Sequence, residues 1–285
     1  MSGTRASLIH TKGRGLGSFL LLCFVCMLML SGCTSLRYAG VSRIPTYKIV
    51  SSDVPASADG YRIALATDFH LPSLFGERQL RGTVKALKEL HPDVIMLGGD
   101  YQEGCEYVDM LFSALSECMP RDGMYAVMGN NDYERCTEVI RHSMEQYGIK
   151  NLEYAVDTIR PGIVVVGAPY CTHPPLVTPL TEALEDSLFA IFLTHAPDIV
   201  EMSSIFPSQV DLALTGHTHG GQITFFYIIA PETGSRYGRR FLYGKNYTSR
   251  GVPVITSRGL GTSRMPIRFC APTDIVVVEL HRAKK

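Results

Sequence analysis

At 285 residues the chain is long enough for one large domain with a substantial buried core. Hydrophobic residues at 46% against charged residues at 19% exclude a disordered chain. A formal net charge of zero excludes a global basic field, so no nucleic-acid partner is expected.

Arg5, Lys12 and Arg14 precede an uncharged stretch from Gly15 to Leu36, most apolar between Leu16 and Leu30. A basic flank followed by an apolar run is the pattern of a secretory signal or membrane anchor, assigned here to residues 1–36. The run ends in Leu30-Ser31-Gly32-Cys33, which resembles a bacterial lipobox and makes Cys33 the candidate lipidation site. Uncleaved, the stretch is long enough to span a bilayer, which needs about 20 residues. Either way the membrane is an expected partner. The leading basic residues predict a cytoplasmic N-terminus with the globular part outside. Arg37, Arg43 and Lys48, behind the segment, pull the other way, so an inner-membrane location is expected with the side of the domain open.

Residues 37–60 turn polar and small and read as a linker, which leaves 61–285 for the domain. Cys105, Cys118, Cys136, Cys171 and Cys270 fall in that domain. An odd number without a CxxC pair indicates neither a disulfide framework nor a zinc ribbon, and these cysteines read as small buried hydrophobes. An unpaired set fits a reducing compartment slightly better than an oxidising one.

Short apolar runs then end abruptly in polar residues. Ile63 to Ala66 ends at Thr67-Asp68, Val94 to Leu97 at Gly98-Gly99-Asp100, and Tyr125 to Met128 at Gly129-Asn130. Ile163 to Val166 ends at Gly167, Ile191 to Leu193 at Thr194-His195, and Leu212 to Leu214 at Thr215-Gly216-His217. Such continuous runs fit strands buried on both faces. Between them lie helix-period faces: Leu80, Val84, Leu87 and Leu90; Val108, Leu111, Phe112 and Leu115; Val139, Ile140, Met144 and Tyr147. Strands alternating with helices predict a layered α/β fold. His91 and His142 fall on helical segments and read as ordinary helix residues, whereas His173 falls in a loop.

Ligands of α/β sheets bind beyond the carboxyl ends of strands, and here those ends carry Asp68, Asp100, Asn130, His195 and His217. In order, Asp68-Phe69-His70, Gly99-Asp100, Gly129-Asn130-Asn131-Asp132, Thr194-His195 and Gly216-His217-Thr218-His219 resemble the calcineurin-like metallophosphoesterase family, from about Arg62 to Leu280. Gly216 to Gln222, Ser257 to Ser263 and Pro266 to Phe269 resemble its membrane-associated branch, which includes cell-envelope phosphoesterases and the chlamydial-type UDP-2,3-diacylglucosamine hydrolase.

The resemblance implies a four-layer α-β-β-α sandwich with a binuclear metal site at the strand-end loops. By the family pattern Asp68, His70 and His219 hold one metal, Asn130, His195 and His217 hold the other, and Asp100 bridges them. A bridging carboxylate offsets the repulsion of two close cations. A mixed nitrogen and oxygen set without thiolate suits manganese first, with iron, zinc or nickel as alternatives. The implied activity is hydrolysis of a phosphodiester or pyrophosphate bond by a metal-bridging hydroxide, on a phosphorylated small-molecule or lipid-linked substrate.

The family commonly carries His where this chain has Asn131, and Asn cannot act as an acid near neutral pH. Asn131 and Asp132 remain candidate catalytic groups beside Asp100, with Asp132 suited to holding its loop. Arg258, Arg264 and Arg268 surround the Gly259-Leu260-Gly261 turn, and Asn131, Arg258 and Arg264 are the candidate substrate contacts. The specific reaction implied by the branch is hydrolysis of UDP-2,3-diacylglucosamine in lipid A synthesis, which needs a cytoplasm-facing site. Rivals are an envelope phosphodiesterase or phosphatase outside the membrane and a non-catalytic, metal-stabilised lipoprotein that binds envelope polymer.

Overall fold

A computed structural model describes residues 39–284 other than 169, 171–176, 204, 227 and 228, together with residues 18, 19 and 23. Cys33, most of the segment 1–36, and His173 lie outside the described residues. Among the described residues no helix is long and apolar enough to cross a membrane.

The first sheet takes β1 (Thr46–Ser51), β2 (Tyr61–Ala66), β3 (Val94–Leu97), β4 (Met124–Ala126) and β5 (Lys150–Asn151). The second takes β6 (Ala155–Arg160), β7 (Ile163–Ala168), β8 (Phe189–Thr194), β9 (Leu212–Thr215), β10 (Gly244–Tyr247) and β11 (Pro253–Thr256). The last strand, β12 (Val276–Arg282), returns to the first sheet. The orders are β1-β12-β2-β3-β4-β5 and β10-β11-β9-β8-β7-β6. Strands β2 to β5 are mutually parallel, as are β7, β8, β9 and β11, so their carboxyl ends gather at one edge of the molecule.

The alternation along each strand builds three apolar layers. Ile63 and Leu65 point between the sheets, where they meet Val165, Ile191, Leu193 and Leu214. Ala64 and Ala66 point outward onto α1 (Glu77–Leu90), α2 (Val108–Ser116) and α4 (Thr137–Gln146), through Leu80, Val84, Leu87, Leu111, Leu115 and Ile140. The short helix α3 (Asn130–Glu134) precedes α4. On the far face of the second sheet, beyond α5 (Thr178–Glu182), Phe192 and Ala213 meet Ile199 and Val200 of α6 (Pro197–Met202). Both sheets are therefore covered twice, giving the expected α-β-β-α order. Burying a side chain such as Leu80 contributes about 1.5–3 kcal/mol.

Helix α1 shows how local chemistry sets the bounds. Gln79 Oε1 accepts from the Gly76 N–H at 3.2 Å, and His91 ends the helix with a left-handed φ of 46° just before Pro92.

The expected linker 37–60 needs correction. Thr46–Ser51 is the edge strand of the first sheet, paired in parallel with β12 from Thr46↔Val277 to Ser51↔Arg282. Only Ile49 of β1 is buried, so an edge strand with one apolar face reads as polar chain. A second correction concerns the cysteines. Cys105 and Cys136 form a disulfide with a Cα–Cα distance of 5.4 Å, while Cys118 and Cys270 are free. The bridge ties the loop after β3 to the turn between α3 and α4.

Candidate metal centre

Each strand-end loop delivers its side chain to one edge. Asp68 and His70 follow β2, Asp100 follows β3, Asn130 opens α3, His195 follows β8, and His217 and His219 follow β9. The loops brace one another through backbone bonds, Asp68 N–H to Gly99 O at 2.9 Å, His70 N–H to Asp100 O at 3.1 Å and Gly216 N–H to His195 O at 2.9 Å. The His217 N–H donates to the Asp68 carboxylate at 3.1 Å, which joins the two sheets at the site.

The backbone here is held away from its ordinary regions. Asp68, His70, Asp100, His217 and His219 all have left-handed φ, between 45° and 70°. Each costs on the order of 1 kcal/mol for a non-glycine residue, which the surrounding loops over-determine. Two glycines permit the close approach. A Cβ on Gly129 would collide with the Asp100 carboxylate, and one on Gly259, whose φ is +70°, would lie 2.6 Å from Asp68 Cβ.

Six of the seven predicted side chains converge in two groups that meet at Asp100. Asp68, His70 and His219 form one set of donor atoms and Asp100, His195 and His217 the other, each within 4.8 Å. Within the groups, His70 Nε2 lies 3.1 Å from His219 Nε2, and His195 Nε2 lies 3.0 Å from His217 Nδ1. Asp100 Oδ2 stands 3.4 Å from both His70 Nε2 and His195 Nε2, between the groups. Asn130 Oδ1 is buried and, among the described residues, has no hydrogen-bond partner. An orphaned carbonyl oxygen beside converging imidazole nitrogens and two buried carboxylates fits cation ligation.

Electrostatics split the four rings: against burial, Asp100 raises His195 to about 9, and Asp100 and Glu103 raise His70 to about 10, while the other two are lowered. Burial and the neighbouring His195 push His217 down to about 3. Burial, then His70 and Arg268, push His219 down as well. Both rings are neutral near pH 7 and keep a lone pair for a cation. At Asp100 burial pushes the carboxyl up, but His195 and His70 outweigh it and hold it well below the usual range.

The far nitrogens of the rings are held by the protein. His195 Nδ1 sits 2.7 Å from Gly98 O, His70 Nδ1 sits 2.6 Å from Glu103 Oε1, and Arg268 Nη2 donates to His219 Nδ1 at 3.1 Å. Such partners fix ring orientation around a metal. Glu103 escapes the sequence reading; its only signal is a carboxylate three residues after Asp100 in the same loop. Tyr170 is also new, its ring centroid 5.4 Å from that of His217.

The remaining candidates sort by their partners. Asn131 donates to Glu103 Oε1 at 3.1 Å and accepts from Asn130 Nδ2 at 2.9 Å. It takes a hydrogen of the Asn130 amide, whose Oδ1 has no partner among the described residues. The Asp132 carboxylate accepts from the N–H groups of Asp100, Tyr101 and Gly129 at 2.8–3.0 Å, so it holds the ligand loops. Arg258 requires correction as a substrate contact: it is buried, pairs with Asp274 at 3.4 Å and stacks 3.7 Å above the Tyr243 ring. Arg268 is consumed by carbonyls of Gly261, Arg258, His219 and Ala271. Arg264 is exposed and lines a cavity of ≈ 720 Å³ whose floor includes Asp100, Asn130, His217 and His219.

Known sequences place this geometry. The family model described as calcineurin-like phosphoesterase matches residues 61–221. An uncharacterised metallophosphoesterase YkuE of Bacillus subtilis is 30% identical over 86% of this chain and 88% of its own length. The phosphodiesterase YaeI of Escherichia coli is 30% identical over 79% of this chain and 83% of its own. A zebrafish (Danio rerio) protein named as a transmembrane protein with metallophosphoesterase domain is 28% identical over 85% of this chain and 58% of its own. The chain belongs to the calcineurin-like phosphoesterase family and is a metal-dependent phosphoesterase.

Proposed function

We propose that the protein is a membrane-tethered phosphodiesterase that uses two divalent cations, manganese first, and works on the oxidising side of the membrane. The observation that carries the two-cation reading is the position of Asp100, 3.4 Å from a histidine of each donor group. Asp68, His70 and His219 would hold one cation and Asn130, His195 and His217 the other, with Asp100 shared. Bound there, the cations would lower the pKa of a shared water and offset charge developing on the phosphoryl oxygens.

The chain's own residues orient this site. Glu103 and the Gly98 carbonyl hold the rings of His70 and His195, and Asn131 holds the Asn130 amide through its Nδ2. No imidazole stands at position 131 to protonate a leaving group, which favours activated diesters or anhydrides over alkyl monoesters. The name of the Escherichia coli relative, a phosphodiesterase, supports that preference.

The Cys105–Cys136 bridge supports an oxidising compartment, in line with the basic residues ahead of the apolar segment. Hydrolysis of UDP-2,3-diacylglucosamine would require a cytoplasmic site, so an envelope phosphodiester is the preferred substrate class. Manganese content and manganese-dependent hydrolysis of bis-p-nitrophenyl phosphate, measured beside Asp100→Ala, test the reading. Metal-loaded protein inert toward every diester and anhydride would sink it.

A further inference from the structure

The edge that carries the metal ligands also carries an apolar lip. Phe225 and Ile229 form an antiparallel bridge through N–H to O bonds of 2.8 and 3.0 Å. That bridge adjoins the 263–270 loop where Ile223 bridges Phe269, and Gln222 bonds to Ser263 and Met265. On these two segments Phe225, Phe226, Ile229, Met265 and Ile267 are 47%, 67%, 55%, 52% and 52% exposed. Large apolar side chains clustered this way beside a cavity mark an interaction surface rather than scattered surface apolarity. Met265 and Arg264 line the cavity itself, so the lip and the donor groups share one mouth.

The N-terminal segment is brought to the same edge. Strand β1 runs antiparallel to β2, and Thr46 lies level with Ala64 through their shared partner Val277, near the carboxyl end of β2. Residues 39–45 therefore lead in from the metal edge. Gly40 packs on Gln79 of α1, and the loop before α1 bonds to the lip loop, Leu74 N–H to Thr262 Oγ1 at 3.5 Å and Thr262 N–H to Ser73 Oγ at 3.3 Å. Only Arg37 and Tyr38 separate Leu36, the end of the apolar stretch, from Ala39. Three extended residues reach about 11 Å, and six, counted from Cys33, about 20 Å. A membrane holding that segment would lie within this reach of the site's edge.

We infer that the metal edge faces the bilayer and that the lip formed by Phe225, Phe226, Ile229, Met265 and Ile267 inserts into it, so that the cavity takes phosphoesters presented at the lipid surface. Arg264, exposed between lip and cavity, supplies a positive charge at the headgroup level. This rests on the tethered reading proposed above and names its substrate class as lipid-embedded phosphoesters.

The chain contains no tryptophan, so a single introduced one reports its own surroundings. Full-length Phe226→Trp and Ile267→Trp proteins are reconstituted into vesicles of phosphatidylglycerol and acyl-brominated phosphatidylcholine, with Tyr247→Trp, at the opposite strand edge, as reference. Bromine is expected to quench both lip reporters by about twofold or more and to leave the reference bright. Equal quenching at all three positions, or none at the lip, would overturn the inference, as would lip emission that is shielded without lipid. Quenching requires no turnover, so this result stands apart from whether the protein cleaves diesters. Phe226→Ser/Ile229→Ser is expected to lose about tenfold in hydrolysis of a phospholipid diester in vesicles while keeping its rate on bis-p-nitrophenyl phosphate. Parallel rates on the two substrates would count against the lip.

Discussion

Glu103 Oε1 lies 2.6 Å from His70 Nδ1, so a carboxylate outside the donor groups aims one of their imidazoles. The same oxygen receives Asn131 Nδ2 at 3.1 Å, which links both candidate cation positions through one side chain. Removing it in Glu103→Ala is expected to weaken cation binding by about 10- to 100-fold, the usual cost of losing a ligand's outer partner. Glu103→Gln, whose amide oxygen still accepts from the ring, should recover part of that loss. Competitive metal titration on folded protein reads both. Unchanged affinity in the alanine variant would show that the contact orients nothing.

Position 131 should set the choice between ester classes. An acid placed by Asn131→His would stand beside His70 and Glu103, where it can reach a leaving group. General-acid help contributes about 10²–10⁴-fold where the leaving group is poor and little where it is good. The ratio of alkyl monoester to bis-p-nitrophenyl phosphate turnover should therefore rise at least about tenfold in the variant. A wild-type protein already faster on the monoester would contradict the preference.

What the sequence made legible follows from how locally each feature is written. Asp68, Asp100, Asn130, His195 and His217 each follow a buried run, and strand ends converge whatever the loops do. Glu103, Tyr170 and Gln222 gain meaning only from partners on other loops, such as His70, His217 and Ser263, and nothing beside them in the chain announces that. Strand β1 was hidden because one buried residue, Ile49, leaves no alternation to read. Arg258 beside a glycine turn has the pattern of a phosphate fork, yet the distant Asp274 and Tyr243 take its charge and its face.

The disulfide stood beyond sequence reasoning for a geometric reason, since pairing requires Cα atoms within about 7 Å and spacing does not give that. Cys105 and Cys136 are 31 positions apart. Closing a loop of that size is expected to stabilise the fold by about 3–4 kcal/mol, less any residual order in the unfolded chain. Cys105→Ser/Cys136→Ser should unfold at a correspondingly lower urea midpoint. In cells, a membrane-impermeant maleimide added outside should label these cysteines only after reduction. No labelling even after reduction would place the domain on the other face of the membrane and contradict the proposed side.

Asp211, just before β9, supplies a pH signature away from the metal edge. Its carboxylate accepts from Ala190 N–H at 2.9 Å and from Ser51 Oγ at 3.1 Å. Burial, with Asp53 nearby, pushes it up to about 6 from an ordinary 3.8, against the pull of those two donors. The folded state thus holds this proton more tightly than the unfolded one. The group's stabilising contribution is complete below about pH 4, falls as pH rises through 6, and is then flat. The shift corresponds to at most about 3 kcal/mol, reduced to about 1–2 by residual solvent screening. Asp211→Asn keeps an acceptor for Ala190 and cannot ionise, so it should gain stability relative to wild type between pH 4 and pH 7.5 by that amount. Urea unfolding of both proteins at the two pH values isolates the term. A stability difference between them that is the same at both pH values would mean that Asp211 titrates alike in the folded and unfolded chain.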